Sequence, residues 1–165
     1  MKWYTSTTGG GYNNIQSVTC AQPDYVIVGG DSNGIYDNAG SAAIGGGYNN
    51  KVSGVGATAS SFNSSIWGGA CNVVCGQAST IMGGFCNCLT GDCSAILGGA
   101  CNFDGGLPLV GIYGCGIIAT IPDAFYSNRF VVKDMPEPGS CFGSIVSRQL
   151  YYCCIAVGCC PVYIC

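Results

Sequence analysis

Apolar residues return along this chain at a short, regular interval and not in the stripes of an amphipathic helix. The phrase Ile-x-Gly-Gly-x-x-Asn stands at residues 27–33, 44–50, 66–72, 81–87 and 96–102, and as "TGGGYNN" at 8–14. A worn seventh copy, "IYGCG", occupies 112–116. Successive copies are 19, 17, 22, 15, 15 and 16 residues apart, measured between their first glycines. Ser64, Ser79 and Ser94 each fall two places before the Ile, and Gly54, Gly76, Gly91 and Gly106 four places after the Asn. Repeats of this length belong to stacked architectures in which each unit covers the next. Fifteen residues are too few for two helices. They hold two short strands and two turns, which is one coil of a β-solenoid.

In-register stacking sets equivalent residues about 4.8 Å apart. Ile66, Ile81 and Ile96 therefore predict an apolar ladder, and Asn72, Asn87 and Asn102 an amide ladder at a turn. The repeat positions that carry the corner are Gly10, Gly29, Gly46, Gly68, Gly83 and Gly98, with Asn14, Asn33, Asn50, Asn72, Asn87 and Asn102 closing it. Six or seven coils give a rod of roughly 30 Å. The extra residues before Ile27 and Ile66 are expected as surface loops. The division that follows is a repeat domain over 1–121, a connector over 122–140 and a small C-terminal β cap or docking segment over 141–165. The connector opens on Pro122 and holds two further prolines, Pro136 and Pro138, with the first charge cluster, Arg129, Lys133, Asp134 and Glu137.

Composition supports an all-β class. Of 165 residues, 28 are Gly, 48% are hydrophobic and only 8% are charged, where about a quarter is usual. Low charge beside high hydrophobicity is the reverse of a disordered composition. The net charge is −3 and the five basic residues are scattered, which argues against a nucleic-acid partner. A weakly charged surface is a solubility hazard for a small monomer, so much of it is expected to lie between subunits. The opening "MKWYTSTTG" has no apolar core of a secretion signal, and no stretch reaches the roughly 20 apolar residues of a spanning helix. The expectation is a protein made in a cytoplasm, without membrane insertion.

The residue chemistry points away from catalysis. There is no His, hence no His-based triad or proton shuttle. The acids Asp24, Asp31, Asp37, Asp92, Asp104, Asp123, Asp134 and Glu137 are spread one to a turn, unlike the facing carboxylates of a glycan-cleaving site. Asp31, Asp92 and Asp104 read as turn residues. "GGGYNN" lacks the Lys-Ser/Thr of a phosphate loop. Thr80 and Thr90 are too isolated for the ranked threonines of an ice-binding face. No cofactor is expected.

Fourteen cysteines admit three readings. Zinc favours Cys-x-x-Cys pairs, and Cys71…Cys75, Cys86-x-Cys88 and Cys153-Cys154 lack that spacing, so no metal is expected. Stacked Cys71, Cys86 and Cys101 fall within disulfide range, although a reducing cytosol opposes the bond. The favoured reading makes Cys a small hydrophobe filling a narrow roll or a seam between chains. A sharper alternative puts inter-chain disulfides at Cys153, Cys154, Cys159 and Cys160, since adjacent strand residues point to opposite faces.

The run "AIGGGYNNKVSG" and the SxIxGGxxN units after it resemble the head repeats of trimeric autotransporter adhesins. They resemble still more closely the Cys-rich "IGGG-CN-ASG" repeats of bacteriophage virion and tail-fibre proteins. The resemblance spans about residues 8–116. It implies a left-handed parallel β-roll, three chains wound about one axis, and an attachment or structural module on a particle or cell surface. The signal and membrane barrel of the autotransporters have no counterpart here, and the cysteine load fits the viral group better.

Tyr12 and Tyr48 share a repeat position, with Phe85 set one place earlier and Trp67 standing where Met82 and Leu97 follow. Such rings serve either a host-surface glycan or the packing of a trimer, and packing is the favoured role. The expected protein is a non-enzymatic homotrimer on a virus surface, in contact with other virion proteins, as tail fibre, spike or capsid decoration. The alternative is a bacterial surface adhesin or extracellular filament subunit.

Overall fold

The computed structural model describes residues 6–17, 24–36, 39–54 and 63–129, together with the backbone of 141–146 and 149–154. The described residues form strands and turns without α-helix. Each of the first five coils contributes one strand to each of two parallel sheets, and the last three strands extend the larger sheet alone. β1 (Ser6–Thr8), β3 (Tyr25–Ile27), β5 (Ala43–Ile44), β7 (Ser65–Ile66), β9 (Thr80–Ile81), β11 (Ala95–Ala100), β12 (Gly111–Cys115) and β13 (Phe125–Ser127) make the larger sheet in that order. β2 (Ile15–Gln16), β4 (Gly34–Ile35), β6 (Lys51–Val52), β8 (Val73–Val74) and β10 (Cys88–Leu89) make the smaller one. The chain alternates between the sheets and so winds a parallel β-solenoid of about seven turns.

Register follows the repeat. Ile27, Ile44, Ile66, Ile81, Ile96 and Ile112 pair in succession, and all are fully buried. On the smaller sheet Ile35, Val52, Val74 and Leu89 form a second buried column. Burying one such side chain contributes about 2 kcal/mol, so each of the four coils from Ile27 to Leu89 adds two of these contributions before its turns are counted. Neighbouring strand residues alternate inward and outward, as the pleat requires.

Both ladders have distinctive ends. At the C-terminal end of the larger sheet, Tyr126 pairs with Ile112 and is itself buried. Its hydroxyl accepts from the N–H groups of Thr120 and Ile121 and donates to the Ile121 carbonyl. In the smaller core column, Asp104 follows Leu89 and is fully buried. Its carboxylate accepts from the N–H groups of Thr90, Gly91 and Gly106 and from the Thr90 hydroxyl. Asp104 is thus a turn-closing residue, as its position predicted.

Two refinements arise. The seventh coil is present, but its corner is one residue shorter. Ile96 pairs with Ile112, whereas Gly98 pairs with Tyr113 and Gly99 with Gly114, so the chain shifts register around Leu97. The larger sheet also extends to β13, inside the segment assigned to the connector. Beyond it, β14 (Cys141–Val146) and β15 (Gln149–Cys154) form an antiparallel hairpin. Cys153 and Cys154 lie on β15, opposite Phe142 and Cys141; Cys159 and Cys160 lie outside the described residues.

Candidate functional site

The corner between the sheets is built by the Gly-Gly-x-x-Asn phrase. Asn33, Asn50, Asn72, Asn87 and Asn102 are buried, which demands partners for every amide atom. Asn72 shows how this is met. Its Nδ2 donates to Gly68 O in its own coil at 3.1 Å and to Gly84 O in the next at 3.0 Å. Its Oδ1 accepts the Asn87 backbone N–H at 3.1 Å. The same pattern runs from Asn14, which is less deeply placed, to Asn102, whose Oδ1 accepts the Ile117 N–H. A second ladder occupies the opposite turn. Ser79 Oγ donates to Gly91 O and accepts from the Ser94 N–H, and Ser94 Oγ accepts in turn from Val110.

The glycines divide by role. At Gly68 an added Cβ meets nothing within 4 Å. At Gly69 the backbone is left-handed (φ 85°) and a Cβ stands 2.2 Å from Gly84 O of the next coil. Gly11, Gly30, Gly47, Gly84 and Gly99 repeat this second pattern. The first glycines, Gly10, Gly29, Gly46, Gly68, Gly83 and Gly98, were the sequence's candidates. Of the two glycines in each corner, the second is the one whose side-chain position is occupied by the next coil's carbonyl, while Gly10, Gly46, Gly83 and Gly98 among the first have positive φ with no close neighbour at that position.

The outward face of this corner carries the large apolar side chains. Trp67 is 68% exposed, and Met82 and Leu97 follow it in the next two coils, also exposed. Val28 holds the same place in an earlier coil, and Tyr113 stands at the shortened corner. Across the glycines, a ladder of bridges joins Tyr12, Asp31, Tyr48, Ala70, Phe85 and Ala100. Phe85 therefore shares the column of Tyr12 and Tyr48 and does not sit one place earlier; counting from each Ile, all three occupy the same step. Tyr12, Tyr48 and Phe85 are all exposed. Trp67 belongs to the other column, so the four rings flank the glycine trough in two rows.

The outward column of the smaller sheet sets exposed Ile15, Phe103 and Ile118 in line with the charged Lys51. There Lys51 lies over the Tyr36 ring, its Nζ 4.9 Å from the ring centre.

The cysteines with described side chains do not fill the interior of the roll. Every cysteine whose side chain is described is a free thiol, and none is fully buried. Cys71, Cys86 and Cys101 precede the buried Asn, and since that Asn points inward they point outward. Cys75 and Cys88 are half-buried. Burial raises the Cys75 thiol, with Lys51 opposing the shift. Burial, with Cys75 and Asp104 adding negative charge, pushes Cys88 from 9.0 up to about 11. Among the described residues no group of three or more metal-ligating side chains is placed to hold an ion.

No protein-family model matches this sequence, and no curated protein or solved structure is significantly similar to it.

Proposed function

We propose that this solenoid is a non-enzymatic structural and attachment protein of a virus particle, assembled as a homotrimer whose chains cover one another's apolar corners. The observation that carries this reading is the paired rows of exposed rings and aliphatic side chains. Contiguous apolar surface on a weakly charged molecule marks an interaction face, and rings spaced along a stiff rod suit either a neighbouring chain or a flat ligand. Left-handed winding of three chains about one axis is the form that the repeat's resemblance to phage fibre repeats suggests. The same resemblance, with the cysteine load, supports a virion surface over a bacterial one. Docking falls to other virion proteins at one end, and a host-surface glycan is the candidate ligand of Tyr12, Tyr48, Trp67 and Phe85.

One feature favours the alternative of a bacterial adhesin or extracellular filament. β1 and β2 each have a sheet neighbour on one side alone among the described residues, and open strand edges invite end-to-end stacking. Gold-labelled antibody on particles and cells from a culture expressing the gene separates the two. Label on discrete particles supports the virion reading; label on open fibres or cell envelopes overturns it. Trp67→Ala separates the ring's two roles, since loss of receptor attachment with the trimer intact supports glycan binding, and loss of the trimer itself assigns the ring to packing.

A further inference from the structure

We infer that Cys71, Cys86 and Cys101 form a reversible dithiol–disulfide site on the outer surface of the solenoid, in which Cys86 bonds to either neighbour. The three residues stand at one step of consecutive coils, fixed by the bridges Ala70 to Phe85 and Phe85 to Ala100 beside them. The Cys86 N–H donates to Ala70 O at 3.0 Å and the Cys101 N–H to Phe85 O at 2.9 Å, which locks the register.

Within one chain, neither packing nor backbone preference accounts for thiols at these positions. Cys86 and Cys101 are exposed and Cys71 half-buried. All three are left-handed, with φ of 58°, 53° and 56°. That conformation favours Asn, Asp and Gly, and the earlier coils use Asn13, Ser32 and Asn49 at the same step. Asn49 Nδ2 also lies 3.7 Å from Cys71 Sγ, so the column is continuous. Replacing three such residues with Cys leaves side-chain chemistry as what distinguishes them.

The spacing selects that chemistry. Adjacent coils separate Cα atoms by about 4.8 Å, inside the roughly 4.4–6.8 Å that a disulfide spans. Cys71 and Cys101 are two coils apart, about 9.6 Å, beyond that reach. Only one bond can form at a time, and Cys86 is in it. Cys86 senses both partners: partial desolvation raises its thiol first, and Cys71 and Cys101 add to the shift. Stacked Cβ atoms must approach by about 1 Å to reach bonding distance. The resulting strain makes the bond readily reducible.

The oxidant class is a small soluble disulfide such as oxidised glutathione. One protein thiolate attacks it, forming a mixed disulfide and expelling one small thiolate. The neighbouring thiolate then attacks the protein sulfur and expels the second. Two protein thiols and one small disulfide become one protein disulfide and two small thiols. The proposal concerns a single chain and stands apart from the trimer.

The test is exposure of the folded, fully reduced protein to oxidised glutathione, followed by acid quench, peptic digestion without reductant and mass spectrometry. The expected products are Cys71–Cys86 and Cys86–Cys101 crosslinks that have lost two hydrogens, migrate as monomer on a denaturing gel and vanish with mild reductant. Cys71→Ser and Cys101→Ser each retain one of the two. Cys86→Ser loses both and accumulates glutathione adducts at Cys71 and Cys101. The double variant Cys71→Ser/Cys101→Ser leaves Cys86 with an adduct alone. Glutathione adducts without crosslinks in the native protein, or bonds joining two chains at these residues, overturn the proposal.

Discussion

Asn87 joins two coils through one planar amide. Its Nδ2 donates to Gly83 O at 3.2 Å and Gly99 O at 3.1 Å, while its Oδ1 accepts from the Asn102 N–H at 3.1 Å. Alanine keeps the backbone and strands these groups where water does not reach, at about 1–3 kcal/mol for each unpaired buried group. Asn87→Ala is therefore expected to lower the unfolding free energy by roughly 3 kcal/mol, read as a fall in the urea midpoint. Cys88 makes a prediction of a different kind. Its thiol is raised in the folded chain from 9.0 to about 11, so its contribution to stability is complete below the unfolded value of 9.0 and fades as pH rises toward 11. A urea series between pH 8 and 11 is expected to show stability falling, and Cys88→Ala to flatten that slope. At pH 8 iodoacetamide is expected to modify exposed Cys101 faster than Cys88, because the thiolate is the reacting form.

The coil is the next scale, and neighbouring glycines test it. Gly69→Ala places a methyl against the carbonyl of the coil above and holds alanine in a left-handed conformation. With about 1–2 kcal/mol from the backbone and about 1–3 kcal/mol from overpacking, the loss is expected near 3 kcal/mol. Gly68→Ala meets open space and is expected to change stability by less than about 0.5 kcal/mol. Thermal unfolding of the two single variants checks this, and equal effects contradict the stacked register. The same pair shows what could be read from the chain alone. A recurring Ile and Asn fix which residues become neighbours, so both ladders were visible in the letters. The distinction between the glycines was not, because it depends on where the next coil's carbonyl points. Phe85 had enough signal in its distance from Ile81 to be placed with Tyr12 and Tyr48. The outward turn of Cys71, Cys86 and Cys101 depends on left-handed backbone that Cys does not announce, so the letters alone leave both the roll interior and a seam between chains open to them. The shifted corner at Leu97 depends on how sixteen residues share one stack, and the repeat length does not say where the extra one goes.

At the scale of the whole molecule, exposed apolar side chains gather on two surfaces. The face around the glycine corners carries Val28, Trp67, Met82 and Leu97, and the outward column of the smaller sheet carries Ile15, Phe103 and Ile118 in line with the charged Lys51. An assembly that hides the first face would shield apolar surface on a chain with only 8% charged residues. Putting charge on that face, as Trp67→Lys with Met82→Lys, is expected to break the assembly without unfolding the coil, because neither side chain is part of the core. Lys51→Ala, on the other sheet, is expected to leave the assembly intact. Sedimentation equilibrium of the purified native protein puts the central claim to its most direct test. Stacked coils whose apolar corners are shared by three chains predict a single species of three times the 16.8 kDa chain mass, reduced to one chain mass by the double lysine variant. A native protein that sediments as one 16.8 kDa chain at all concentrations contradicts it.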